Sequence, residues 1–481
     1  MGRTYRLREP APAKDSLTAP APNGTASEEV VLNPSAGKRL VSLDAYRGFI
    51  MTMLAANGFG IAAFAGLAED NAVWQSWSYG TFQRLRFHFE HPAWQSIFGW
   101  GGVSFWDLIQ PAFMFMVGVA MPFSNVRRQA MGSSDLRRTL HAFIRAVVLT
   151  LMGVFLYSLR SEHTNWIFTN VLAQIGLGYF FLWVLLDRSL EIQLATFTAI
   201  LVAYWGFFVM NPPPADFDYS AVAASTEKGE VYLGRFAPWS KNGNAGHFFD
   251  VWFLNLLRSP EATPEPGTSD SPAAADSVGA DPEVRAPGLL RQWLFSEKQK
   301  YTHNPGGYVT LNFVPSIATM LLGLFCGQIL LSGRSSGRMI ASLLVMGAAC
   351  FAAGIIAHHT VCPIVKRIWT PSWVLFSGGY VIWMLAVFYL LFDVLPLRRL
   401  AFPLVVVGMN SIVMYMMGQL LRPWVATQIV EKHFGGLLTY FSGPAVLDSQ
   451  SIGAVVMPTL VFAVFWLVAF WMYRNRYFVR I

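Results

Sequence analysis

The chain has 481 residues, of which 54% are hydrophobic and 15% aromatic, while only 13% carry charge. Charge runs near 25% in ordinary soluble domains, so this balance, with a mean hydropathy of +0.41, excludes that class and predicts a polytopic membrane protein. The formal charge of +7 reads as a topology signal and as contact with anionic lipid; no nucleic-acid motif accompanies it.

The first 38 residues are rich in Ala, Pro and charge and have no apolar core, which predicts a disordered cytoplasmic tail and no leader peptide. Crossing a hydrocarbon core of about 30 Å takes roughly 20 apolar residues. Ten stretches qualify: about 47–67, 104–124, 141–159, 169–187, 194–211, 311–331, 339–358, 373–393, 401–420 and 456–473. The expected fold is therefore all-α with ten transmembrane helices and both termini on one side. Apolar pieces at Leu437–Phe441 and Ala445–Leu447 leave room for a half-inserted or eleventh segment.

Short loops orient the chain. With the N-terminus inside, the inner short segments hold 12 Lys/Arg in 45 residues and the outer ones 7 in 94. The positive-inside bias thus places both termini in the cytoplasm. The outer connection 211–308 contains a Pro/Ser/Ala/Asp-rich stretch, Pro260–Pro287, expected to be a disordered insert. Aromatic-rich flanks, Tyr232–Phe253 and Leu289–Tyr308, read either as a cap over an outer cavity or as interfacial anchors. The organisation is then a tail (1–38), N-terminal helices with an outer loop (39–210), the long outer connection (211–308) and C-terminal helices (309–481).

Polar groups inside spans are costly and mark function by default. Asp44 and Arg47, three apart at the mouth of the first span, share a helix face and can pair; the pairing serves anchoring equally well. Asn57, in AANGFG near the middle of that span, needs buried partners or a ligand, and the glycines beside it allow a helix break or close approach. Asp107 opens the second span as a cap and helix-dipole partner, and a carboxylate there can also hold His91 in one tautomer and raise its basicity. Three cysteines, Cys326, Cys350 and Cys362, offer neither a disulfide framework nor metal spacing. His358, His359 and Cys362 lack the remaining ligands of a metal site, so no metal is expected. His141 and Arg145 read as interfacial residues on the inner side.

Six segments in order, RLVSLDAYRGF (Arg39–Phe49), HPAW (His91–Trp94), GVSFWDLIQPAFMFMVG (Gly102–Gly118), NVLAQIGLGYF (Asn170–Phe180), FVPSIATMLLGLFCG (Phe313–Gly327) and VGMNSIVMYM (Val407–Met416), together resemble the heparan-α-glucosaminide N-acetyltransferase family, the lysosomal enzyme and its bacterial relatives. The likeness covers about 39–210 and 305–420, and its opening motif is shared with the wider membrane acyltransferase superfamily. It implies a catalytic His at His91 with Asp107 beside it, and an Asn near donor and acceptor at Asn57. Asp44 and Arg47 match the opening motif and Asn410 the late G-M-N-S segment as substrate- or donor-binding positions.

The implied chemistry is acetyl transfer from acetyl-coenzyme A to an amine or hydroxyl of an outward-facing sugar, with His91 as general base or acetyl carrier. Partners follow as acetyl-coenzyme A, an amino sugar or glycan and the bilayer, with room for a homodimer. A bacterial inner membrane is the expected location. One departure stands out: about six extra residues separate Trp94 from the Trp100–Asp107 portion of the motif. Either the loop bulges and His91 still reaches the site, or His88 takes its place, or activity is lost. A transporter of a small solute or lipid-linked sugar and a catalytically inactive relative remain the competing classes.

Overall fold

A computed structural model describes residues 40–258, 297–395 and 397–479. The expected tail and the Pro260–Pro287 insert lie outside the described residues. Within them the regular structure is helical. Helix α1, Val41–Ala55, ends where four successive residues, Asn57 to Gly60, take left-handed backbone. Asn and Gly tolerate that region, and α2, Ile61–Ala65, leaves the break bent by 48°.

There follow α3 Tyr79–Phe89, α4 Phe105–Ala130, α5 Asp135–Ser158, α6 Val171–Leu186 and α7 Leu190–Met210. The connection between α7 and the second half carries α8, Ala245–Leu256. The second half comprises α9 Phe313–Leu331, α10 Ser336–Thr360, α11 Pro371–Tyr389, α12 Phe402–Met409, α13 Ser411–Leu420, α14 Gly435–Ser442 and α15 Gly453–Arg474.

Among the described residues, seven helices are long and apolar enough to cross a membrane, and nine spans result if each bent pair counts as one. The expected count of ten or eleven is therefore not reached. The first and eighth of these nine spans are broken, α12–α13 by 79°. At 16 residues α6 is too short to cross alone. The proposed eleventh segment consists of a wide-turn helix, Val425–Phe434, and the short α14.

Helix α9 is the central element, packed on α4, α6, α7 and α11, while α1 packs on α11, α12, α13 and α4. Between apolar helices in lipid, packing contact replaces the hydrophobic driving force, so small residues let backbones approach. Two glycine pairs do this here. A Cβ on Gly118 would meet Met320 O at 1.9 Å and one on Gly323 would meet Phe115 O at 2.0 Å, which fixes the α4–α9 crossing. Gly48 against Leu404 O and Gly408 against Asp44 O do the same for α1 and α12, at 1.8 and 1.9 Å.

A second apolar cluster lies outside the main core. Trp94, Tyr204, Phe208, Trp239, Val309 and Ile368 knit the connection that carries α8 to the end of α7 and to the 361–370 loop. Trp239 is fully buried and stacks on Phe208 at 4.8 Å, so it belongs to a cap. Trp252, by contrast, is 61% exposed.

Candidate active site

His91 follows the end of α3, and Asp107 sits in the first turn of α4, where the helix dipole favours a carboxylate. Ser104, at the N-cap of α4, turns its hydroxyl back to donate to Glu90 O at 2.7 Å, which ties the two helix ends together. The extra residues loop out between them. Phe98 and Gly102 exchange backbone hydrogen bonds of 2.9 and 2.8 Å, Gly99 supplies a φ of 53°, and Trp100 is 84% exposed at the tip. The insertion is thus a small hairpin, and it leaves His91 and Asp107 adjacent.

The same loop brings in a third group. Ser96 N donates to Ile364 O at 2.9 Å and Lys366 N to Ser96 Oγ at 3.0 Å, so the 91–103 and 361–370 loops are stitched together and the Lys366 side chain turns inward. His91 Nδ1 lies 2.7 Å from Asp107 Oδ1. Lys366 Nζ donates to that same oxygen at 3.0 Å and lies 3.3 Å from Nδ1. Side chains of Asp107 and Lys366 are buried, whereas His91 is 41% exposed.

A carboxylate facing an ammonium only accepts hydrogen bonds, so Nδ1 of His91 must carry the proton that it shares with Asp107. The Nε2 lone pair is then free. Burial chiefly, helped by Lys366 and Arg367, lowers the His91 pKa from 6.5 against the opposing pull of Asp107. Burial also works against the charge on Lys366, but Asp107 and Tyr308 outweigh it and its pKa is raised. The result is a neutral imidazole held by an ion pair, which suits a general base or nucleophile.

His91 and Lys366 face a cavity of about 340 Å³ reached by Leu54 of α1, Trp106 and Gln110 of α4, Tyr157 of α5, Asn170 and Tyr415 of α13. Its volume falls in the range of small-ligand sites. Thr169 Oγ1 donates to Tyr157 OH at 2.8 Å and Asn170 Nδ2 to Tyr415 OH at 3.3 Å, while Asn170 Oδ1 caps α6. A second, open cavity of about 610 Å³ lies at the far end of α1, lined by Asp44, Met409, Tyr473, Arg474 and Arg476. Ten residues of α1, roughly 15 Å of helix, separate Asp44 from Leu54.

No family model matches the chain. Over 453 residues it is 22% identical to heparan-alpha-glucosaminide N-acetyltransferase of Mus musculus. The similarity is distant and is to an acetyltransferase. It takes in 88% of this chain but 60% of the mouse protein, so the chain spans less than two thirds of that relative.

The expected site residues divide into groups. His91 and Asp107 meet. His88 is exposed on α3 and does not line the cavity. Asp44 and Arg47 pair at 3.8 Å at the opposite end of α1. Asn410 is buried at the α12–α13 bend, where its amide donates to Tyr477 O at 3.1 Å and accepts from Val479 N at 3.0 Å, so it clamps the C-terminal segment. Asn57 corrects an expectation: α1 stops two residues before it, and at the break within the first span it is exposed rather than buried.

His358 Nδ1 accepts from Ile364 N at 3.0 Å and Cys362 lies 3.5 Å from Ser372 Oγ, so both serve the loop. Lys366 escaped the sequence reading because a Lys in a short outer loop looks like any interfacial cation. Asn170 had a signal, since it opens the NVLAQIGLGYF segment.

Proposed function

We propose that this chain is an integral membrane acyltransferase that moves an acetyl group from cytoplasmic acetyl-coenzyme A to an amine or hydroxyl of an outward-facing sugar. The observation that carries the reading is the His91–Asp107 pair, with a free Nε2 at a cavity of mixed polar and apolar lining. Distant likeness to an acetyltransferase supports the same chemistry. In the direct route, Nε2 takes the acceptor proton as the acceptor attacks the thioester carbon; the C–S bond breaks and the thiolate leaves, taking up that proton. In the alternative route Nε2 itself attacks the thioester carbon, the C–S bond breaks and the thiolate leaves; the acceptor then attacks the acetyl-imidazolium, the N–C bond breaks, and Nε2 takes up the acceptor proton and passes it to the thiolate. Asp107 stabilises the imidazolium in either case.

Both termini are assigned to the cytoplasm of a bacterial inner membrane, which sets the His91 cavity on the outer side and the Asp44 cavity on the inner. Coenzyme A does not cross membranes, so the donor must enter between helices with its phosphates toward inner cations, Arg47 among them. Sealed vesicles with radiolabelled acetyl-coenzyme A on the cytoplasmic face and glucosamine on the other test this. Label should appear on the amino sugar, and His91→Ala should lower the rate about 10²- to 10⁴-fold; label confined to the donor side would end the transmembrane reading.

One observation favours a second reading, a transporter. The two broken spans, α1–α2 and α12–α13, resemble the discontinuous helices that transporters use at their binding sites. Counterflow of unmodified sugar without acetylation in those vesicles would select it.

A further inference from the structure

Helices α4, α5 and α6 reach the His91 cavity at one end, through Trp106 and Phe113, Tyr157, and Val171. Toward their other ends they bring Arg128, His141, Arg145 and Tyr179 together. An Arg128 nitrogen hydrogen-bonds His141 Nε2. Arg145 donates to Tyr179 OH at 3.3 Å and its guanidinium lies 4.7 Å over the Tyr179 ring. Arg128 and Arg145 are within electrostatic reach of each other.

Nothing described in this chain balances the two charges. Among the described residues neither Arg128 nor Arg145 has a carboxylate partner, although neighbouring Arg138 pairs with Asp135. Arg145 Nε is buried and meets no acceptor there. Two guanidinium groups at the inner part of the spans repel each other, and desolvation adds to the cost, so the arrangement calls for an anion from elsewhere. Guanidinium forks suit phosphate oxygens, and His141 and Tyr179 add further hydrogen-bonding groups.

We propose that Arg128, His141 and Arg145 form a phosphate-binding site, for a phosphate ester whose other end extends between the helices toward the His91 cavity. Along α5 from Arg145 to Tyr157 is roughly 18 Å, and along α4 from Arg128 to Phe113 about 22 Å, so the ligand carries a long, narrow arm. This extension toward His91 rests on the donor reading above; the phosphate recognition itself does not. A nucleotide-type donor and an anionic lipid headgroup present the same chemistry.

The test uses the full chain in phosphatidylcholine nanodiscs, with coenzyme A titrated by calorimetry and phosphatidylglycerol retention followed by native mass spectrometry. Arg128→Gln and Arg145→Gln should each weaken binding of one probe about tenfold or more, whereas Arg127→Gln, an exposed neighbour with the same charge change, should not. Thermal unfolding checks the variants; if Arg145→Gln does not fold, Arg128→Gln carries the test.

Loss of coenzyme A binding assigns the site to the donor. Loss of phosphatidylglycerol alone keeps the phosphate site but removes its link to His91. Coenzyme A binding that is intact in both variants, with lipid retention also unchanged, overturns the site while leaving the acyltransferase reading in place. No binding of either probe to the unaltered chain, or equal weakening by Arg127→Gln, overturns it as well.

Discussion

A histidine and an ammonium compete for one oxygen of Asp107, and the outcome sets the chemistry of the site. Because Lys366 holds Asp107 as an acceptor, His91 must donate from Nδ1 and present Nε2 as a base. Asp107→Asn reverses this: the amide donates to Nδ1, moves the ring proton to Nε2 and should lower acetyl transfer about 10²-fold or more with the geometry kept. The lowered His91 pKa gives a second outcome. Activity that needs the neutral imidazole should rise with pH below 6.5 and be flat above it. Lys366→Met removes a repulsion that opposes protonation, so the rise should move to higher pH, read from a pH–rate profile or from histidine NMR. His91 and Asp107 were legible because each stands in a recognisable segment; Lys366 was not, since only the folding of two distant loops gives it a carboxylate.

At the scale of elements, the connection that carries α8 is fastened by a buried acid. Asp250 of α8 accepts from Thr310 N at 2.9 Å, just ahead of α9, and burial raises its pKa to about 7. A folded-state pKa above the ordinary 3.8 means that the folded protein binds the extra proton, so this contribution to stability is full below 3.8 and is lost as pH rises through about 7. The unfolding midpoint should therefore drop between pH 5 and pH 8 more in the unaltered chain than in Asp250→Asn, which keeps a carbonyl acceptor for Thr310. The apolar runs that became spans were legible, and AANGFG announced the break after α1. The sharper bend at Asn410 was not: VGMNSIVMYM reads as continuous helix, and its amide is drawn off by the C-terminal backbone, a contact 67 and 69 residues away.

For the whole molecule, the two cavities separate along α1, with Leu54 and the His91–Asp107 pair at one end and Asp44 and Arg47 at the other. This separation was legible in the sequence, where Asp44 and Arg47 open the first span and the His91 segment follows its far end. The halves are joined where glycines let backbones touch. Gly48→Ala drives a methyl into Leu404 O and should destabilise the protein by about 1–3 kcal/mol, measured by thermal unfolding in detergent. Gly418→Ala, whose added methyl meets Ala55 at an ordinary 3.4 Å, should be nearly neutral. Both tight crossings pair a helix before residue 258 with one after residue 297. Two separately expressed polypeptides, 1–258 and 297–481, should therefore find each other in one membrane and copurify, and Gly48→Ala combined with Gly323→Ala should abolish that complementation.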